Sequence, residues 1–365
     1  VLSQKTNFTV THNQPLIDQD NLIQVEIFGQ DEHILSQGKT HFTPPVLPKP
    51  PQIRHTFPFL RWLLIVFCLL LFISYWVFQR NQRKAFRLRF NPYIAGAPVM
   101  RGDMFYGREA LLKQILNTIH NNSLMIYGER RIGKTSFLHQ LYKLLPSVED
   151  PEYLFLPVMI DLQGIDETQF FAHLDHEIQL ALQQWSLPAL EVAPESMDGR
   201  VFTQRLRQVI HDLKNACPKA PKLVLLLDEV DIMNGYSERT NQQLRAVFMK
   251  GFAHHLVAIM AGIHISKRWK SEGSPWYNFF EQIELRPFSR EQAEELVTRP
   301  VRGIYRYDPA AVTQILQISA CKPYIIQKLC VNLVAHVLNE NKRRITERDV
   351  QYVYREIQHE VERAV

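Results

Sequence analysis

Apolar residues are distributed in three different ways along this chain. Residues 1 to 43 carry short runs of β type, "NFTVTH" and "LIQVEIFGQDEHIL", with the polar "GQDE" where a hairpin turn would fall. Residues 59 to 78, "FLRWLLIVFCLLLFISYWVF", are apolar throughout, with Arg61 near one end as the only charge. At about 1.5 Å rise per residue such a run matches a hydrocarbon core of roughly 30 Å, and Arg61 can reach the interface along its aliphatic stem. The pattern predicts one transmembrane helix. A signal peptide fits less well, because the run starts far from the N-terminus and no small-residue cleavage site precedes the basic stretch.

From residue 91 onward strand-length apolar runs alternate with stretches whose apolar residues recur at helical spacing. "GREALLKQILNTIH" reads as a helix, and "SLMIYG" leads into the helix "KTSFLHQLYKLL". "YLFLPVMIDL" is followed by helices to about residue 215, "KLVLLLDEV" by a helix, and "LVAIMAGI" by a loop. Strands separated by helices predict an α/β fold with a doubly wound parallel sheet covered on both faces. From Ser289 the pattern is helical. "SREQ" at 289–292 and "TERD" at 346–349 have the spacing of capping boxes, in which the first and fourth residues satisfy each other's free N–H groups at a helix start. No internal repeat is visible.

Composition and charge set the surroundings. "TPPVLPKPPQ" packs five prolines into residues 43–52, a stiff extended spacer. The domains expected are therefore an exported β-type segment (1–43), a Pro-rich linker (44–58), the span (59–78), a basic juxtamembrane segment (79–90), an α/β core (91–288) and a helical lid (289–365). Arg80, Arg83, Lys84, Arg87 and Arg89 directly follow the span, so the C-terminal part is expected on the cytoplasmic side with the N-terminus outside. That run suits topology and anionic lipid better than nucleic acid, and the net charge of +5 changes neither expectation. Cys68, Cys217, Cys321 and Cys330 have no CxxC spacing, which argues against a zinc site or a disulfide framework. The chain opens on Val1 rather than Met, so the N-terminal segment is read as one that could be incomplete.

The chemistry concentrates in two stretches. Residues 128–135, G-E-R-R-I-G-K-T, match GxxxxGK[ST] in full, between an apolar run and a helix. Gly128, Glu129, Arg130, Arg131, Ile132, Gly133, Lys134, Thr135 and Ser136 would wrap phosphates at a helix N-terminus, where free N–H groups and the dipole attract anions. Lys134 would reach the β- and γ-phosphates, and the Thr135 hydroxyl would ligate Mg²⁺. The second stretch, "LVLLLDEVD" (223–231), ends a buried strand in carboxylates. There Asp228 can hold Mg²⁺ and Glu229 can take a proton from an attacking water. Two adjacent carboxylates at a buried edge need a cation nearby, which a Mg²⁺–nucleotide complex supplies. Asp231 reads as a cap or contact residue. His254 and His255 are adjacent and cannot both face one metal, no GxSxG turn occurs, and no N-K-x-D favours guanine, so ATP is the expected nucleotide.

The order "NPY", "MFYGRE", "GERRIGKT", "LLLDEVD", "LRPFSREQAEELV" and "KPYIIQKLC", over roughly residues 91 to 350, resembles the AAA+-related P-loop ATPases of the STAND and archaeal-ATPase group, whose core is like that of the origin-recognition ATPases. The resemblance implies that Phe105, Gly107 and Arg108 frame the adenine and that the lid touches nucleotide through Pro323. The family's Gly-x-Pro is Cys321-Lys322-Pro323 here, which leaves that contact in doubt. The resemblance also implies a polar sensor, for which His264 and Ser266 are candidates, and an arginine finger, for which Arg268 and Arg299 are.

Together these readings imply a membrane-anchored, Mg²⁺-dependent ATPase working as a signalling switch, with Lys134 and Glu229 as catalytic residues. A protein partner, nucleotide-dependent homo-oligomers and a prokaryotic cell membrane are expected with it. A nucleic-acid-handling ATPase is the first rival, although the stretch after Thr346 is short for a winged helix. A secretion or envelope-assembly motor and a scaffold holding structural nucleotide are the others.

Overall fold

A computed structural model describes residues 21–28, 34–42, 65–76, 90–120, 122–191, 194–252, 254–263, 276 and 279–363. The chain divides into two compact units, residues 1–77 and 78–365.

In the first unit β1 (Asn21–Phe28) and β2 (Ile34–Phe42) pair antiparallel, Asn21 opposite Phe42 and Val25 opposite Gly38, with a register shift at Ile27/Phe28. The two strands are those of a hairpin around the expected "GQDE" turn. That turn, "NFTVTH", the Pro-rich linker and all but the last residue of the basic segment lie outside the described residues. Residues 65–76 form a helix, α1, whose large apolar side chains face outward, from 46% exposed at Ile73 to 68% at Phe72. α1 covers the middle of the 59–78 run, and the run's ends lie outside the described residues. Among the described residues no helix is long and apolar enough to cross a membrane.

The second unit is built on a five-stranded, wholly parallel sheet of β3 (Leu124–Tyr127), β4 (Tyr153–Asp161), β5 (Ala220–Asp228), β6 (Leu256–Gly262) and β7 (Glu281–Glu284). The order across the sheet is β4-β5-β6-β3-β7. Successive side chains of a strand point to opposite faces, so a strand apolar at every position feeds two cores. β5 does this: Leu223, Leu225 and Leu227 pack with α4 (Phe170–Gln184), α5 (Gly199–Ala216) and α6 (Glu238–Ala246). Val224 and Leu226 pack on the other face with α2 (Glu109–Thr118) and α3 (Lys134–Leu144). The predicted doubly wound sheet is therefore present. β7 was not predicted: "EQIE" offers no apolar run. It is an edge strand held by backbone pairing to β3, with the Glu281 N–H donating to the Ser123 carbonyl at 3.2 Å and the Leu285 N–H to the Tyr127 carbonyl at 2.7 Å.

The lid comprises α7 (Arg290–Thr298), α8 (Pro309–Ser319), α9 (Pro323–Asn339) and α10 (Glu347–Glu362) around a separate apolar cluster. Both capping boxes form. The Gln292 N–H donates to the Ser289 hydroxyl while the Ser289 N–H donates to the Gln292 carbonyl oxygen, and the Thr346 N–H donates to Asp349 at 2.7 Å. Two short parallel strands, β8 (Arg306–Tyr307) and β9 (Arg344–Ile345), interrupt the expected all-helical lid. The boundary at 288/289 is also not a clean one. Tyr93, Met104 and Tyr106 pack in the lid cluster, so the segment that leads into the α/β core is part of the lid's own interior.

Candidate functional site

The phosphate loop spans the gap between β3 and α3. Gly128 is required by close approach: a Cβ there would lie 2.5 Å from the Leu285 carbonyl oxygen that follows the edge strand. Gly133 is required by conformation. It caps α3 at φ +102°, in the left-handed region that side chains resist, and a Cβ there would meet no protein atom within 4 Å. The space beside it at a helix start is open, as an anion site needs. Arg131 holds φ +63° in the same turn. Ile132 is 2% exposed and anchors the loop in the core.

Lys134 is 8% exposed, and its Nζ donates to the carbonyls of Gly128 and Glu129, both at 2.9 Å. Burial pushes its pKa down, against the opposing pull of Asp228 and Glu229. Asp228 ends β5 in register with Asp161 of β4 and is 4% exposed. Burial raises its pKa, while hydrogen bonds from the Thr135 hydroxyl and the Glu229 N–H, the latter at 2.9 Å, favour the carboxylate. Glu229 follows at φ +52°, a conformation that costs a residue with a Cβ roughly 1–2 kcal/mol. Its carboxyl lies above the usual carboxylate range, first through partial burial and next through Asp228. The left-handed bend ends the strand with Glu229 at the cleft and sends Asp231 to the end of β6, where it accepts from the Ile263 N–H at 2.6 Å.

Lys134, Thr135, Ser136, Glu229, Arg130, Arg131 and Gly133 line one cleft of about 220 Å³. Its opposite wall comes from the lid, as Pro323, Tyr324 and Gln327, and from Ile94 to Val99. That leading segment is strapped to both sides. The Ile94 N–H donates to Gln327 Oε1 at 3.1 Å, the Asn91 amide to the Val331 carbonyl at 2.9 Å, and the Val99 N–H to the Ser136 hydroxyl at 2.9 Å. The residues expected to frame the adenine are not among those that line this cleft. Phe105 packs on Phe137 with ring centroids 6.1 Å apart. Gly107, at φ +72°, abuts Phe288 and Gln292. Arg108 donates to the Arg286 carbonyl and lies 4.8 Å over the Phe288 ring. Phe105 packs within the sheet core, while Gly107 and Arg108 meet Phe288 and Gln292 at the lid; Ile94 and Gly96 to Val99 line the cleft. "NPYIAGAPV" read only as a turn-rich lead-in, and its Gly and Pro content was the single signal available.

Pro323 does line the cleft, at the first turn of α9. The family glycine's place is taken by Cys321 at φ +57°, with Ala320 at φ +46°, so the lid turn keeps a left-handed backbone without glycine. Loop and lid also touch directly. Lys322 Nζ pairs with Glu129 at 2.8 Å, and the Arg131 guanidinium lies 4.4 Å over the Tyr324 ring. Neither contact was read from the sequence. His264, Ser266 and Arg268 lie outside the described residues. Arg299 pairs with Glu295 one turn away and lies 5.7 Å from the Tyr106 ring centroid.

A parallel sheet with a phosphate loop after one strand, a buried carboxylate ending another and a helical lid defines a P-loop ATPase fold. Residues 104–258, which contain both motifs, match the family model of the AAA ATPase domain. The fold resembles a Walker-type ATPase of Pyrococcus abyssi at TM-score 0.52 and 16% identity, over 73% of this chain and 78% of that one. It also resembles the Aeropyrum pernix ORC1 protein, solved in complex with DNA, at TM-score 0.50 and 13% identity, over 74% and 69%. No curated protein matches the chain.

Proposed function

We propose that the chain is a membrane-anchored ATPase that switches partner binding through the packing of its lid. The observation that carries the ATPase reading is that Gly133, Lys134, Thr135 and Glu229 line one cleft, with buried Asp228 hydrogen-bonded to the Thr135 hydroxyl. Lys134 leaves the loop carbonyls for the β- and γ-phosphates and offsets the charge that develops on the transferred phosphoryl group. The Thr135 hydroxyl and Asp228 would hold Mg²⁺, which would supply positive charge against the developing phosphate charge. Glu229 orients a water and accepts its proton as the new O–P bond forms and the bond to the ADP oxygen breaks. The raised pKa of Glu229 fits a proton acceptor, and turnover rises with pH as it ionises. The matched family and the Pyrococcus abyssi ATPase support this chemistry. Support for the anchor comes from the 59–78 run and the outward apolar side chains of α1. The basic flank supports a cytoplasmic ATPase and an outside N-terminus.

The test is thermal stability of the full chain with ATP, ADP or GTP and Mg²⁺, beside Lys134→Ala. Ligand at about 100 times its Kd adds roughly 2.7 kcal/mol to the native state. An adenine-selective rise that the variant lacks is expected; no rise, with no co-purified nucleotide, sinks the reading. A second reading, a nucleic-acid ATPase, is favoured by one surface, where Arg302, Arg306 and Arg343 line a lid cleft. DNA binding that weakens steeply with salt and with loss of those arginines would support it.

A further inference from the structure

The end of α9 and the start of α10 bring three metal-ligating side chains together, and none of them lines the nucleotide cleft. His336 stands on the last turn of α9, Glu340 is that helix's C-cap, and Asp349 is the third residue of α10. Nε2 of the His336 imidazole lies 3.5 Å from Glu340 Oε2 and 3.5 Å from Asp349 Oδ1. Both distances are long for a hydrogen bond. They suit neighbours on one shared ion, since ligands bonded to a tetrahedral Zn²⁺ stand about 3.3–3.6 Å apart. The ligand atoms of all three residues fall within 4.8 Å of one another. Two of the three are fixed by their own surroundings. The Thr346 N–H and hydroxyl both donate to Asp349 Oδ2 at 2.7 Å, which leaves Oδ1 to face the imidazole. The His336 ring stacks on Tyr352 with centroids 4.7 Å apart. Glu340, its side chain 39% exposed, keeps the site open to solvent. The carboxylates already attract a cation: Lys342 Nζ lies 2.5 Å from Glu340 Oε2 and 3.9 Å from Asp349 Oδ1. That lysine is half in solvent, so its pairing is screened and readily exchanged.

We propose that His336, Glu340 and Asp349 form a site for a divalent transition ion of the zinc class, which displaces Lys342 and pins the end of α9 to the start of α10. A divalent charge between two carboxylates is held more strongly than the single charge of the lysine. The imidazole selects such an ion over Mg²⁺ and Ca²⁺, which favour oxygen ligands. No cysteine takes part, so cysteine spacing carried no sign of this site. It stands apart from the ATP reading, with which it shares no residue.

The experiment is calorimetric titration of the untagged, nucleotide-free full chain with ZnCl₂ at about pH 7.5, because metal ligands bind deprotonated. Wild type is compared with His336→Ala, Glu340→Gln and Lys342→Ala, with melting temperatures as a check on folding. Wild type is expected to bind Zn²⁺ with a Kd in the micromolar range or below, and to melt higher with Zn²⁺ than without. His336→Ala should weaken this binding by roughly thirtyfold or more and Glu340→Gln by roughly fivefold, each through a lost ligand. Lys342→Ala removes the competing cation and should tighten it by about three- to tenfold. Mg²⁺ in large excess should not displace Zn²⁺. Glu340 is exposed and glutamine keeps its shape, so that variant decides the matter if His336→Ala does not fold. Folded wild type that binds no Zn²⁺ at about 100 μM overturns the site. So does Zn²⁺ binding unchanged by Glu340→Gln and Lys342→Ala, which would place the ion on other side chains. Either result leaves the ATP reading standing.

Discussion

Two turns face each other across the cleft, and each delivers a helix start to it by a left-handed backbone. The loop before α3 uses glycine at Gly128 and Gly133, with Arg131 at φ +63° between them, whereas the turn before α9 uses only Ala320 and Cys321. In the loop a Cβ would either strike the Leu285 backbone or stand in open space at the start of α3. In the lid turn the left-handed residues are stabilised from within. Cys321 receives a hydrogen bond from the Phe288 N–H at 3.0 Å, and the Lys322 N–H donates to the Ser319 carbonyl at 2.9 Å. Conformational strain of roughly 1–2 kcal/mol per residue is tolerable where only fold is at stake. Arg131 and Glu229 carry such strain beside the cleft as well, so what sets Gly128 apart is the Leu285 backbone that a Cβ would strike.

The largest test of this contrast is Gly128→Ala. Its Cβ cannot coexist with the Leu285 carbonyl at 2.5 Å, so a loss of about 2–3 kcal/mol in urea unfolding is expected, together with loss of nucleotide binding. Gly133→Ala should cost about 1–2 kcal/mol, from φ alone, yet abolish the ATP-dependent rise in melting temperature as completely. Retained ATP stabilisation would break the idea that this space is reserved for ligand. Across the cleft the sign reverses: Ala320→Gly, at an exposed helix C-cap with φ +46°, is expected to stabilise by about 0.5–1 kcal/mol and leave ATP affinity within twofold. A destabilised variant would show that the lid turn is not strained.

The smallest expected effect is that of Asp228→Asn. Burial raises the Asp228 pKa above its unfolded value, so the native state binds the proton more tightly and this group's contribution falls as pH rises from the unfolded pKa through the raised one. Asparagine removes that dependence, and the nucleotide-free variant should melt slightly higher than wild type near pH 7 while failing to turn over ATP. Equal melting curves at pH 7 would mean that Thr135, Lys134 and the Glu229 N–H already offset the burial.

Local signals made half of this site legible. "GERRIGKT" and "LLLDEVD" each sit at a strand end, where spacing and apolar flanks restrict the backbone so strongly that Lys134, Thr135, Asp228 and Glu229 could be assigned before any fold was known. β7 escaped because its pairing with β3 uses main-chain groups and leaves "EQIE" polar. The cleft wall from Ile94 to Val99 escaped because its position depends on Gln327 and Ser136, far along the chain. The adenine assignment to Phe105, Gly107 and Arg108 rested on resemblance; here the Phe105 ring packs on Phe137, and the Arg108 guanidinium meets Phe288 and the Arg286 carbonyl.

By itself the sequence determined the sheet strands with apolar runs, the helix starts with reciprocal caps, the phosphate loop and the acidic strand end, because each follows from periodicity or spacing within a few residues. Only the tertiary structure decided what closes the cleft. The meetings of Glu129 with Lys322, Arg131 with Tyr324, and the leading segment with α3 and α9 join residues dozens to hundreds of positions apart. Such contacts are set by how a lid core and a sheet core pack together, and no local pattern encodes that.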